Sequence, residues 1–164
     1  MEKSTSDSPV SITRAKAESD IALVKELFNE YAASLGVNLE YQGFSAELAG
    51  LPGKYAPPTG DLLIARLNGE AGGCVALRAL AGATLEMKRL YVRPAARGMG
   101  LGKRLVEAAI SSARQLSYTE LRLDTLATMA SAQALYRSLG FVEIPAYGDA
   151  WLPGTRFYAL RLST

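Results

Sequence analysis

The chain has 164 residues, 18 Lys and Arg against 16 Asp and Glu, no histidine and a single cysteine, Cys74. Without histidine there is no Ser-His-Asp or Cys-His catalysis and no imidazole zinc site, and one cysteine supports neither a disulfide framework nor a Cys-rich metal cluster. A net charge of +2, and no apolar run near the ~18 residues of a membrane span, exclude an extended nucleic-acid binder and a membrane protein.

The expectation is one soluble domain over residues 10–164, behind a loose polar arm at 1–9. The N-terminus lacks the apolar core of a signal peptide, which points to the cytoplasm. No metal is expected. Chemistry must come from carboxylates, Tyr, Lys, Arg, Ser, Thr or the backbone.

Val10–Arg14 alternates like a short strand. Ser19 and Asp20 offer N-caps to a helix carrying Val24, Leu27, Phe28, Tyr31 and Leu35 at helical spacing, closed by Gly36. Residues 37–60 hold a short helical piece at Phe44–Leu48, then a loop rich in Pro and Gly. Leu62–Leu67, Asn68-Gly69 and an apolar run to Leu77 predict a hairpin, since Asn-Gly supplies the positive φ of a tight turn. Thr84–Val92 reads as a strand, followed by a glycine cluster and a helix with Leu101, Leu105, Ala109, Ala113 and Leu116 on one stripe. Glu120–Asp124 is a strand, Ser131–Leu139 a helix ended by Gly140, and Phe141–Ile144 and Phe157–Leu162 the last strands. Helices interleave with strands, so the fold class is mixed α/β.

The informative segment runs from Leu90 to Arg104. A strand feeds a turn containing Gly98, Gly100 and Gly102, and an amphipathic helix begins at once. The unpaired amides and positive dipole end of such a helix favour an anion, and glycine lets the backbone approach it. Residues 88–104 contain six cations (Lys88, Arg89, Arg93, Arg97, Lys103, Arg104) and no acid. A tight turn with a solvated basic face is the plain alternative. The spacing fails the Walker pattern, which needs four residues between Gly and Gly-Lys, and fails the dinucleotide fingerprint by one residue.

The block Arg97-Gly98-Met99-Gly100-Leu101-Gly102, five residues after the strand end at Val92, resembles the acyl-coenzyme A loop of the GNAT superfamily of N-acetyltransferases. A second block, Ala132-Gln-Ala-Leu-Tyr136-Arg-Ser-Leu-Gly140-Phe141, is similar to the family's helix before the sixth strand. The resemblance covers residues 10–162 and is weakest over 37–60 and 145–155. It implies a central mixed, mostly antiparallel twisted sheet of six to seven strands with about four helices, splayed between the fourth and fifth strands. It implies acetyl-CoA in that gap. The Leu90 amide would polarise the acetyl carbonyl, with Tyr91 and Val92 along the pantetheine chain. Arg97, Gly98, Met99, Gly100, Leu101, Gly102 and Lys103 would hold the pyrophosphate. Ala132 lies in the second block. Where the family often has Asn seven residues before the tyrosine, this chain has Met129, and Thr125 or Thr128 is the expected substitute.

The resemblance further implies direct attack by an acceptor amine, which needs no enzyme nucleophile. Tyr136 would protonate the leaving thiolate, and Glu86 or a water chain would take the proton of the ammonium. Strict alternation puts Glu86 on the face of Leu90, where it would serve as base, particularly if burial raises its pKa; the alternative is an ion pair with Lys88 or an arginine. Acceptor contacts are expected from Tyr31, Tyr41, Phe44, Glu47 and Tyr147, with Glu47 for an ammonium and Arg89 or Arg156 for a carboxylate. Trp151 is a candidate rim or dimer contact, and Cys74 reads as core. The function implied is acetyl transfer to a primary amine of a small molecule or amino acid. Two alternatives are a protein lysine or N-terminal acetyltransferase and a non-catalytic acyl-CoA-binding regulatory module.

Overall fold

A computed structural model describes residues 9–162. All but one residue of the expected N-terminal arm lie outside the described residues. The strands are β1 (Val10–Arg14), β2 (Asp61–Leu67), β3 (Glu70–Ala79), β4 (Thr84–Val92), β5 (Glu120–Thr125), β6 (Val142–Ile144) and β7 (Arg156–Arg161). The helices are α1 (Glu18–Leu35), α2 (Phe44–Ala49), α3 (Leu101–Gln115) and α4 (Ala130–Ser138). Seven strands form one sheet in the order β1-β2-β3-β4-β5-β7-β6. Every neighbouring pair is antiparallel except β4 and β5, which are parallel and joined by the crossover helix α3. The mixed α/β architecture is the one expected.

Local chemistry explains most boundaries. Asn68 and Gly69 both take positive φ, 52° and 85°, as the β2–β3 turn requires. Helix α1 begins one residue before Ser19, so Ser19 and Asp20 sit inside its first turn rather than capping it. Asp20 Oδ2 instead reaches back to accept from the Lys16 and Ala17 amides at 3.0 and 3.3 Å, and Gly36 closes the helix at φ 68°.

The sheet is covered on both faces. Val24, Leu27 and Phe28 of α1, with Phe44 of α2, pack on Ile64, Cys74, Ala76 and Tyr91. On the other face Leu101, Leu105, Val106, Ala109 and Ala113 of α3, with Tyr136 of α4, pack on Val75, Leu77, Leu85, Leu121 and Leu123. Each fully buried leucine contributes about 1.5–3 kcal/mol, so alternation along the strands fixes which face each residue serves.

Two irregularities shape the region of interest. Cys74 pairs with Tyr91 and Ala76 with Lys88, so Val75 alone faces both Arg89 and Leu90. Arg89 takes φ 62° at this bulge, a conformation that non-glycine residues seldom adopt. The extra residue reverses the alternation. Glu86 stays opposite Arg78 on the α1–α2 side, whereas Leu90 packs into the α3–α4 core. The expectation that the two share a face is therefore corrected.

The second irregularity is a wedge. Only Thr84, Leu85 and Glu86 pair with Glu120, Leu121 and Arg122. Past that point β4 continues on β3 and β5 continues on β7, so their facing edges separate.

Candidate active site

The glycine loop lies at the end of β4, beside the open end of the wedge. Gly98 and Gly100 take φ of 81° and 76°, and Gly100 caps the N-terminus of α3. Nothing lies within 4 Å of a Cβ built on either glycine, so positive φ, not crowding, calls for glycine at both. The six cations divide by partner. Lys88 approaches Glu86 and Asp124, Arg89 pairs with Glu47, and Arg93 with Glu26 and Glu30. Arg97, Lys103 and Arg104, all in or next to the loop, have no ion pair among the described residues. Arg97 Nε donates to the Val92 carbonyl at 3.2 Å.

Two cavities adjoin the wedge. A narrow one, of about 30 Å³, is bordered by Leu90, Thr125, Met129 and Tyr136, with Tyr31 of α1 also on its wall. A larger one, of about 550 Å³, is bordered by Glu47, Tyr55, Arg78, Glu86 and Tyr147. Tyr41, Gln42, Lys88 and Asp124 line both. The wedge therefore has a slot on one side and a chamber of small-molecule size on the other.

Thr125 is buried and its Oγ1 has no hydrogen-bond partner. An orphan hydroxyl on the wall of the narrow cavity is a ready contact for a ligand. Tyr136 is buried beside Phe141 and Tyr158, with ring centroids at 5.7 and 6.2 Å. Its hydroxyl has no hydrogen bond among the described residues, and burial pushes its pKa up, so it stays protonated at neutral pH. Burial likewise pushes Tyr31 up to about 12.

Glu86 is differently placed from its expected setting. Arg78 Nε donates to Oε1 at 2.8 Å and the Tyr147 hydroxyl to Oε2 at 2.7 Å, with Lys88 Nζ 3.9 Å from Oε1. Burial pulls its pKa upward, but Lys88, the Tyr147 hydroxyl and Arg78 together outweigh it and hold the carboxyl below the usual glutamate value. Burial does not raise it on balance, and the ion-pair alternative holds: Arg78 and Lys88 lie by one oxygen and the Tyr147 hydroxyl by the other.

Arg89 and Glu47 are also engaged with each other. The guanidinium donates to Glu47 at 2.9 and 3.0 Å and to Gln42 Oε1 at 2.7 Å, and its carbon stands 5.4 Å from the centre of the Phe44 ring. Phe44 borders neither cavity. Arg156 pairs with Glu143 in an exposed bridge, and Trp151, half exposed, meets Phe157 edge-on at 5.6 Å. Tyr91 donates to Glu30 at 3.2 Å. Ala132 packs against the α3–α4 core. Cys74 is buried, as its apolar setting suggested.

Asp124 was missed by reasoning from sequence. It is the last but one residue of β5, on the face opposite Leu121 and Leu123, and borders both cavities at the wedge. The available signal was its position at the carboxyl end of a strand beside a parallel neighbour, where α/β sheets place ligands. Among the described residues it makes no hydrogen bond; Lys88 Nζ lies 4.0 Å away. Burial raises its pKa, with Lys88 opposing and Glu86 adding to the rise.

Comparison with known proteins agrees with this geometry. The model of the acetyltransferase (GNAT) family matches residues 23–141. An uncharacterized N-acetyltransferase of Schizosaccharomyces pombe is 40% identical over 95% of this chain and 97% of its own. The IAA acetyltransferase of Azospirillum brasilense is 37% identical over 57% of this chain and 61% of its own. Among solved structures, a GNAT-family acetyltransferase of Staphylococcus aureus Mu50 superposes with a TM-score of 0.76 at 22% identity, covering 94% of this chain and 99% of that one. The yncA protein of Salmonella typhimurium, solved with its cofactor acetyl-CoA, gives 0.69 at 23% identity over 95% of both. With a wedge-split sheet, a glycine loop capping α3 and these relatives, the chain belongs to the GNAT family of N-acetyltransferases.

Proposed function

We propose that this enzyme transfers the acetyl group of acetyl-CoA to a primary amine of a small molecule seated in the larger cavity. The observation that carries the reading is the meeting of that cavity and the narrow slot at Lys88 and Asp124, in the mouth of the wedge. A cavity of about 550 Å³ suits a small molecule. The 33%-identical aminoglycoside acetyltransferase of Klebsiella aerogenes, by its name, acts on a small amine and supports the class.

The residues of the wedge fit acetyl-CoA. The free β4 edge offers backbone groups from Leu90 to Val92 for an extended chain to pair with. The Thr125 hydroxyl is open for a contact, and the amides of residues 97–103 with unpaired Arg97 and Lys103 form an anion site. When bound, acetyl-CoA supplies a thioester, whose carbonyl is open to direct attack. The Leu90 amide faces the developing oxyanion as a single fixed donor. Tyr136 gives a proton to the departing thiolate. Leu35, Leu39, Met87 and Leu126 give the slot apolar wall beside these contacts.

A screen of acetyl-CoA consumption over amino acids, polyamines, aminoglycosides and peptides tests the reading. Free-thiol release with small amines supports it. Release with peptides alone transfers the reading to a protein acceptor, and coenzyme A binding without turnover with any amine leaves only an acyl-CoA-binding module.

A further inference from the structure

Resting on that reading, we propose that Asp124, and not Glu86, takes the proton of the acceptor ammonium. The two carboxylates are 38 positions apart in sequence, yet both border the larger cavity and both lie near Lys88 Nζ. They differ in what else they touch. Glu86 has one oxygen against Arg78 and the other against the Tyr147 hydroxyl. Donors on both oxygens stabilise the anion, so a carboxylate so engaged is a weaker base toward substrate. Asp124 has no such partner among the described residues, and only it of the two also borders the slot with Leu90 and Tyr136.

The position suits the task. An amine entering from the larger cavity reaches Asp124 and Lys88 at the point where that cavity meets the slot. The ammonium hands a proton to an Asp124 oxygen. The freed nitrogen lone pair forms the C–N bond while the C–S bond breaks. The thiolate leaves with the Tyr136 proton, and Tyr136 recovers one from the nitrogen of the new amide. One proton remains on Asp124 and returns to solvent, so the charges balance.

The surroundings of Asp124 set the pH range in which it works. From β4, Glu86 raises its proton affinity and Lys88 and Arg89 lower it, and Arg78 of β3 lowers it too. The phenols of Tyr31 on α1, of Tyr41, of Tyr136 on α4 and of Tyr147 before β7 all face the same charge. Burial is the largest influence and makes the carboxylate more basic than a free one, which brings it closer to a working base at neutral pH.

The test compares Asp124→Asn, Asp124→Glu and Glu86→Gln with the wild type. It follows kcat/KM against pH on the best amine of the screen and on methoxyamine, a weak base already neutral at assay pH. Melting temperature and coenzyme A affinity are measured on every variant. D124N is expected to lose about 10²-fold or more on the strongly basic amine and little on methoxyamine, with affinity unchanged and melting temperature equal or higher. D124E is expected to recover part of the rate. E86Q is expected to keep its acidic limb and move it to lower pH, because a negative charge beside Asp124 is gone. If D124N tracks the wild type at every pH, loses equally on both amines or fails to fold while E86Q abolishes the acidic limb, Asp124 is not the base. A wild type without turnover on any amine overturns acetyl transfer itself, and the role of Asp124 with it.

Discussion

Glu47→Ala isolates the bridge that holds the β4 bulge. The Arg89 guanidinium is 2% exposed and Glu47 is 16% exposed, and two near-ideal hydrogen bonds join them. Truncating Glu47 leaves a buried cation with only the Gln42 bond and the Phe44 ring. Stripping one partner from a buried pair costs about 3–5 kcal/mol. Glu47 borders the larger cavity, so water reaches the vacated place and the low end, about 3 kcal/mol, applies. In a chain of this size that corresponds to a fall of about 6–12 °C in melting temperature.

The assay is scanning calorimetry and urea unfolding of E47A, R89M and the double variant E47L/R89M. Replacing both partners by apolar residues is often neutral, so the double variant should recover most of the loss. Because Arg89 sits at φ 62° one residue before the Leu90 amide, E47A should also lower kcat more than it weakens coenzyme A binding. A loss under about 1 kcal/mol, the value of an exposed pair, would refute the reasoning. So would a double variant no more stable than E47A.

Gly100→Ala introduces a side chain at φ 76° with no neighbour in reach. Its cost of about 1–2 kcal/mol is pure backbone strain, and titration calorimetry should show weaker coenzyme A binding. Tyr136→Phe should lower kcat by about 10²-fold with an unchanged melting temperature, since the hydroxyl holds no hydrogen bond among the described residues; a rate unaltered at all pH values removes it as the proton donor. Glu86 has a folded pKa below the ordinary 4.5, so its contribution to stability is present above that pH and is lost as pH falls through the lower folded value. E86Q should therefore show a shallower loss of melting temperature on acidification below pH 4.5. Asp124 has the opposite sign: its raised pKa makes it a cost above the ordinary 3.8, relieved as pH falls, which is why D124N should not destabilise at neutral pH.

Strands, the Asn68-Gly69 hairpin and the glycine loop were legible because each rests on local chemistry: alternation, positive φ, a helix start. The bulge was not, since it asks a left-handed conformation of arginine, and no glycine or asparagine marks the place. The face of Glu86 went wrong for that one inserted residue. Its pKa lies low because Lys88, two residues on, is joined by Tyr147, 61 positions later, and by Arg78, its cross-strand partner, which only the fold brings beside it. The run of six cations looked uniform along the chain. Acids of α1 and α2, remote in sequence, neutralise Arg89 and Arg93 and leave the unpaired charge concentrated at the loop. Asp124 stood in a correctly read strand, yet its value depends on its making no hydrogen bond among the described residues, and a chain of letters does not display that.

The wedge has a consequence for how the molecule comes apart. In one half-sheet, β2 to β4 are successive antiparallel neighbours that can close early from contacts near in sequence, while β1 joins β2 across the α1–α2 segment. The other, β5-β7-β6, is hydrogen-bonded to it as a strand ladder only along Thr84–Glu86 and Glu120–Arg122, with the α3 core packed across both. That short seam divides the domain into two units of unequal opening free energy, which native-state hydrogen exchange would resolve as two tiers of amide protection. Acetyl-CoA lying along both edges would act as a staple across the seam. Its binding should merge the two tiers into one, so that occupancy controls the cooperativity of the fold as well as its stability.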